Sequence, residues 1–304
     1  MAHPAYVAVD WGTSSFRLWL IARDGSILAE RRSGEGMTSA AKTGFSQVLS
    51  GHLAAVEAPD NLPVIVCGMA GARQGWVEAG YIDVPAPLAA ILTGAVSVPG
   101  ESRDIRILPG LAQRDMATPD VMRGEETQLL GALGSASSGA QAVCMPGTHS
   151  KWVHVSDGKV AGFSTFMTGE LFDVISKHTI LSHAVAGADE QPADAAAFEA
   201  AVSAAFARPA LASNLLFTAR SGQLLHGISA ASAQARLSGT LIGLEIAGAL
   251  QDAANLGVTL VASGRLQALY EQAFKTLSLT FTAIDADAAV RRGLSAAAEA
   301  IWPN

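Results

Sequence analysis

One short design is written twice in this chain, and that repetition restricts the fold more than any other feature. In the first copy an apolar run, Tyr6–Asp10, meets a small polar turn, Gly12-Thr13-Ser14-Ser15. Phe16–Ala22 then resumes as a second strand, followed by Asp24-Gly25 and a third strand over Ser26–Arg31. In the second copy Ala142–Met145 leads into Pro146-Gly147-Thr148-His149-Ser150, a strand running on to Val155, then Asp157-Gly158 and a strand over Lys159–Phe166. Asp-Gly between apolar runs is a strong hairpin signal. Aligning Gly12-Thr13-x-Ser15 on Gly147-Thr148-x-Ser150 brings the two Asp-Gly pairs nearly into register, as duplication of one α/β unit would. The 304 residues are enough for two such domains. The expected division is an N-terminal domain over 1–135 and a C-terminal domain over 136–304.

The segments around each meander supply the rest of an α/β unit. Pro63–Gly68 and Arg106–Pro109 read as strands in the first half, Thr259–Ala262 and Leu279–Ile284 in the second. Glu126–Leu133, Ala231–Asp252, Leu266–Leu277 and Asp287–Trp302 carry helix-forming residues at helical spacing. The Ala-rich tract Ala184–Ala207 is weakly patterned and reads as surface helices or an insertion without chemistry of its own. Cys67 and Cys144 lie inside short apolar runs, which fits core thiols in a reducing compartment better than a disulfide. No basic stretch precedes an apolar one at the N-terminus, so a cytoplasmic protein without a signal peptide is expected. Prolines in Val84–Gly100 and the Gly/Ser content of Thr127–Ser150 argue against a membrane span. A net charge of −7 without a basic stripe argues against nucleic acid as a partner, and a homodimer is left open.

The two turns are where chemistry is expected. Asp10 ends a strand and precedes Gly12-Thr13-Ser14, a turn able to aim amides and hydroxyls at an anion. A carboxylate beside phosphate repels it unless a divalent cation intervenes, so Asp10 is read as a direct or water-mediated Mg²⁺ ligand, with Thr13 and Ser14 touching phosphate. The alternative is a tight hairpin whose polar residues only satisfy the turn. The second copy keeps the polar turn, Gly147-Thr148-His149, but has Met145 where the first has Asp10. Lys151 either adds charge beside phosphate or sits on the solvent face of its strand, and His149 is equally open. Ser263-Gly264 ends a third strand and opens a helix, a geometry that meets an anion or a flat ring.

In this order the three elements resemble the actin-like ATPase and sugar kinase superfamily: Val9–Ser14 its first phosphate loop, Gly147–Ser150 its second, and Ala262–Gly264 its adenosine loop. More narrowly, VDWGTSSFRLWL, CGMAGARQGW, RGEETQLLGAL, MPGTHSKWV and TFMTGELFDVISKHTIL resemble the 2-dehydro-3-deoxygalactonokinase family. The resemblance implies two duplicated ribonuclease H-like (actin-like ATPase) α/β domains with a nucleotide cleft between them. It also implies ATP with Mg²⁺, and phosphorylation of the 6-hydroxyl of a 2-keto-3-deoxy sugar acid.

Phosphoryl transfer needs positioning, charge neutralisation and a basic group near the attacking hydroxyl. Glu125 and Glu126, where a helix starts, are the candidate bases, with ordinary first-turn acids as the alternative. The sugar carboxylate calls for an Arg fork. Arg73, in the Gly-rich loop that also carries Gln74, is the leading candidate, with Arg17 and Arg123 behind it and a surface pair with Glu78 as the alternative. Thr168-Gly169-Glu170 either closes over the sugar through Glu170 or simply joins strand to helix. Spacing five separates His178 from His183, so no zinc site is expected. Two other readings compete: an exopolyphosphatase-type phosphohydrolase, which shares Asp10-x-Gly-x-x-Ser-x-Arg17 and Arg123-Gly-Glu-Glu126, and a non-catalytic actin-like nucleotide-binding protein.

Overall fold

The computed structural model describes residues 3–134, 139–251 and 256–303. Each copy of the repeat builds the same five-strand arrangement. In the first, the strands Pro4–Trp11, Phe16–Ala22 and Ile27–Ser33 form an antiparallel meander, and Val64–Gly68 then Ile105–Ile107 join in parallel beside the first strand. In the second, Ala140–Met145, Ser150–Ser156 and Lys159–Phe166 are followed by Val258–Ala262 and Phe281–Asp285, again in the order third, second, first, fourth, fifth. The two Asp-Gly turns differ. Asp157 and Gly158 both have positive φ, as a two-residue hairpin requires. At Asp24-Gly25 the Ala22 amide bonds to the Ser26 carbonyl, so the loop holds three residues and only Gly25 turns left-handed.

The chain divides into two compact units, one of Met1–Gly139, Val155–Phe163 and Asp285–Asn304, the other of Ala140–His154 and Ser164–Ile284. The first unit thus takes the C-terminal helix, which a single boundary had assigned to the second half. That boundary, at 135/136, and Asp252 at the end of an expected helix lie outside the described residues.

In the first unit, strand alternation separates two cores. Val7, Val9 and Trp11 face Val48, Leu49 and Leu53 of the helix Phe45–Ala55, whereas Ala8, Ile65 and Cys67 face Val290, Leu294 and Ala297 of the helix Ala286–Ile301. The latter helix crosses Glu125–Leu133 at Gly131 and Gly293, where backbone meets backbone: a Cβ on either glycine would collide with a main-chain carbonyl oxygen.

The second unit corrects one sequence expectation. The Ala-rich tract forms helices with an exposed face, as expected, but it is no separate insertion. Its helix Ala195–Ala207 buries Phe198, Val202 and Ala205 against the helix Ala230–Ala249, in a core shared with Trp152 and Phe274. The weak pattern reflects a close helix–helix contact made by small residues, where Gly239 and Gly243 abut the Ala-rich helix backbone. Among the described residues no single helix is long and apolar enough to cross a membrane. The bent pair Ala195–Ala207 and Pro209–His226 passes by length and composition, but it buries Phe198, Val202 and Ala219 in the protein interior. Cys67 and Cys144 are both buried and unpaired.

The Gly131/Gly293 crossing gives a first test. Gly293→Ala should destabilise the protein by about 2 kcal/mol or more, because the methyl meets rigid backbone rather than a side chain that can turn away. Urea unfolding of the variant beside Gly34→Ala, where open space surrounds the added methyl, checks the magnitude.

Candidate active site

Asp10 stands at the C-terminal end of the strand Pro4–Trp11, on the face that packs under the C-terminal helix, and strand ends of this kind are where open α/β sheets place ligands. Register puts Arg17 directly opposite. One guanidinium nitrogen donates to Asp10 Oδ2 and another to Asp287 Oδ1, so Arg17 is held between two carboxylates and is no free fork for a sugar acid. Among the described residues, Asp10 Oδ1 has only the weak Cys67 thiol donor, at 3.8 Å. The adjoining turn closes through the Gly12 amide on the Ser15 carbonyl and leaves the side chains of Thr13 and Ser14 exposed. Met37 and Thr38 donate their amides to the Gly12 and Thr13 carbonyls, which lays Gly36 against the turn. Any Cβ there would sit 2.5 Å from the Ser14 and Ser15 nitrogens.

The neighbouring acids are sorted by burial. Glu126 is fully buried, with Oε2 accepting from the Gly124 amide at 2.6 Å and Oε1 from the Thr127 hydroxyl at 2.9 Å. A carboxylate so enclosed holds its own helix start and cannot meet a substrate hydroxyl. Burial, helped by the charge of Glu125, raises its pKa to about 7. Glu125 is half-buried, and its Oε2 accepts from the Arg123 amide at 3.1 Å. Cys67 lies beside both acidic positions: its thiol pKa is pushed well up by burial and then by the charges of Asp10 and Glu126. Arg123 turns inward, with its guanidinium 4.4 Å from the centre of the Tyr81 ring and Nη2 donating to the Gly80 carbonyl. Its Nε and Nη1 are buried without a hydrogen-bond partner among the described residues, so unlike Arg17 it keeps unused donors. Arg73 and Gln74 are exposed, and among the described residues Arg73 makes no ion pair with Glu78 or any other acid.

In the second unit the turn Gly147–Ser150 packs against the start of the helix Thr168–His178. The Glu170 amide donates to the Thr148 carbonyl, and Gly169 lies so close to Gly147 that a Cβ could not fit. Glu170 also reaches His149 Nε2 at 2.6 Å, so these two candidates partner each other. Thr148 is exposed. Lys151, read as either phosphate-facing or solvent-facing, is only 4% exposed, with its ammonium 3.3 Å from the His149 carbonyl oxygen; the solvent-face reading fails. Beside this turn opens a cavity of about 380 Å³, within the roughly 300–1,000 Å³ of small-molecule sites. Gly147, Thr168 and Gly169 line one side, Phe198 and Ile242 another, and Arg265 and Tyr270 a third. Ser263 and Gly264 begin the helix Gly264–Thr276 that carries the last two. Sequence reasoning missed the walls from the Ala-rich segment, because nothing in alanine-rich composition signals a pocket.

Known proteins match this chain along nearly its whole length. The model of the 2-keto-3-deoxy-galactonokinase family matches residues 10–297. The chain belongs to that family. A Rhizobium meliloti protein described as a probable 2-dehydro-3-deoxygalactonokinase is 67% identical over 299 residues, 98% of each chain, and the Escherichia coli 2-dehydro-3-deoxygalactonokinase is 35% identical over 297 residues, 97% of this chain and 98% of that one. A crystal structure of a Sinorhizobium meliloti protein of the same description superposes with a TM-score of 0.94 at 65% identity, covering 98% of this chain and all of that one. A 2-hydroxyisocaproyl-CoA dehydratase activator from Clostridium difficile, solved with bound ADPNP, gives a TM-score of 0.50 at 12% identity over 97% of this chain and 95% of that one. That distant likeness speaks for the fold alone, the actin-like ATPase arrangement of two related α/β units.

Among the described residues no group of three or more His, Cys, Asp or Glu could hold a metal. Magnesium in phosphoryl-transfer sites needs only one or two protein carboxylates, since phosphate and water complete its shell. Asp10, with Oδ1 free of any strong donor, fits that requirement.

The burial of Glu126 has a pH signature. Its folded pKa, about 7, lies above the ordinary value of 4.5, so the folded state holds a proton that the unfolded state has lost, and stability falls as pH rises between those values. Glu126→Gln, whose amide can still serve Gly124 and Thr127, should remove this dependence. The stability advantage of the variant over wild type should widen from pH 5 to pH 8, as urea midpoints at the two pH values would show.

Proposed function

We propose that this enzyme transfers the γ-phosphoryl group of ATP to the 6-hydroxyl of 2-dehydro-3-deoxy-D-galactonate, giving the 6-phosphate and ADP, in the catabolism of galactonate. The observation that carries this reading is the family match over residues 10–297, joined to relatives of that activity aligned along almost the full chain. The geometry supports it by supplying, in each unit, the parts such a transfer requires.

In the first unit Glu125 would accept the proton of the attacking hydroxyl: it is the reachable one of the two acids, whereas Glu126 is enclosed. Arg73 would pair with the sugar carboxylate, since it is exposed whereas Arg17 is paired with two acids and Arg123 is turned inward onto Tyr81, and Gln74 beside it could bond a sugar hydroxyl. Asp10 Oδ1 would hold the metal, and the Thr13 and Ser14 hydroxyls would meet phosphate oxygens. Bound Mg²⁺ would supply neutralisation of the charge on the phosphates. In the second unit the largely apolar cavity beside Ser263-Gly264 would take the adenosine, and the turn with Gly147 and Thr148 the phosphates that follow it. The exposed His149–Glu170 pair stands beside that turn, where it could order the entry of substrate. Two buried free thiols are in keeping with a reducing, cytoplasmic setting.

Purified protein with ATP, Mg²⁺ and the sugar acid should release ADP in step with sugar phosphate. ADP released equally without sugar would instead favour the phosphohydrolase, and nucleotide binding without turnover the non-catalytic reading. Glu125→Gln should lower kcat by about 10²–10⁴ with little change in either KM, as removal of a general base does. Arg73→Ala should raise the KM for the sugar acid about tenfold or more, the cost of one charge-assisted hydrogen bond, and leave that for ATP nearly unchanged. Steady-state kinetics with each substrate varied separately distinguishes the two variants.

A further inference from the structure

A second carboxylate is buried far more thoroughly than packing alone requires. Glu245 lies in the middle of the helix Ala230–Ala249 and is 1% exposed. Trp152 Nε1 donates to its Oε1 at 2.8 Å and the Tyr270 hydroxyl to its Oε2 at 2.7 Å. The Thr168 hydroxyl also hydrogen-bonds to it, and the Tyr270 oxygen, whose proton goes to Glu245, accepts from Ser150 Oγ at 3.2 Å. A carboxylate has about four acceptor positions, and three donors fill most of them.

These groups come from places that matter. Ser150 ends the turn that carries Gly147 and Thr148. Thr168 opens the helix whose next residue, Gly169, is wedged against Gly147, and it lines the cavity. Tyr270 lies on the helix that begins at Gly264 and lines another wall. Trp152 anchors the same carboxylate to the core of the second unit. A buried charge seldom adds net stability over an apolar residue of equal volume, whereas a hydrogen-bonded buried network fixes the relative geometry of the groups it joins.

We infer that Glu245 is a positioning residue for nucleotide: its carboxylate locks the turn Gly147–Ser150, the start of the helix Thr168–His178 and the cavity wall at Tyr270 into one arrangement. The inference rests on the assignment of ATP to this cavity, and Glu245 itself touches no substrate.

The test compares Glu245→Met, which keeps length and bulk but removes every acceptor, with Glu245→Gln. The Gln amide can still accept from Trp152 while donating to one of the hydroxyls. Calorimetric ADP binding, the KM for each substrate and thermal unfolding are measured on all three proteins. We expect Glu245→Met to weaken ADP binding and raise the KM for ATP by about tenfold, with the KM for the sugar acid within about twofold of wild type, and Glu245→Gln to restore most of the loss. A folded Glu245→Met protein that binds ADP as wild type does overturns the inference and leaves the kinase reading standing. Equal changes in both KM values, or a loss of activity that only follows the fraction folded, also overturn it. Wild-type protein that binds no ADP overturns the ATP assignment and this inference with it. If Glu245→Met does not fold, Tyr270→Phe decides: the ring stays, one donor goes, ADP affinity should fall about threefold, and an unchanged affinity overturns the inference.

Discussion

Arg17 holds two carboxylates from opposite ends of the chain, Asp10 on the first strand and Asp287 in the first turn of the last helix. Without that cation, two like charges would face each other at the edge of a dry core, and neither strand end nor helix start could keep its place. Asp287 is further steadied by Arg32 on the third strand of the meander. The result is a charged seam above an apolar face made by Ala8, Cys67, Val290 and Leu294, and it sets the direction in which Asp10 presents its remaining oxygen. The C-terminal segment belongs to the first unit for this reason, reinforced where Gly131 and Gly293 allow two helix backbones to touch.

Much of this fold is legible in the sequence, and the reason is local. Strand alternation in Tyr6–Ala22, the Asp-Gly turns and the recurrence of Gly-Thr-x-Ser each depend on a few adjacent residues, so they survive reading without a partner. The return of Asp287–Trp302 to the first unit depends on contacts separated by more than 250 residues, and no pattern within the helix states them. The burial of the Ala-rich helix was missed for a related cause. Alanine carries little amphipathic signal, and the close packing that buries Phe198 and Val202 depends on glycines some 40 residues further on. The candidate residues were found as types. Their availability was not: Arg17, Arg123 and Lys151 look alike in sequence, and only the structure shows Arg17 paired with two acids, Arg123 turned inward with two nitrogens lacking partners among the described residues, and Lys151 enclosed.

The two copies of the repeat have diverged in where they keep their acid. In the first, the carboxylate stands at the strand end, partly open, as Asp10; in the second the corresponding place is Met145, fully packed in the core. The second unit's principal buried acid is instead Glu245, on a helix, reaching the turn through hydroxyl groups rather than standing beside it. A single divalent cation needs few protein ligands, so one partly open acid meets that need. The second unit uses its buried acid for shape, so the same turn is backed by an acid at the strand end in one copy and by a hydroxyl network in the other.

Glu125 and Glu126 show the same division of labour within two consecutive positions. On a helix, neighbouring side chains point about 100° apart, so a helix that buries one of two adjacent acids leaves the other near its rim. Glu126 turns inward and closes the helix start by accepting from Gly124, which relieves an amide that would otherwise lack a partner. Burial makes that position costly to ionise, and the nearby charge of Glu125 adds to the cost. Glu125 is only half-buried and stays nearer to water. An acid pair at a helix start therefore need not be two candidates for one role. The inner member fixes the turn, and the outer one is left within reach of solvent.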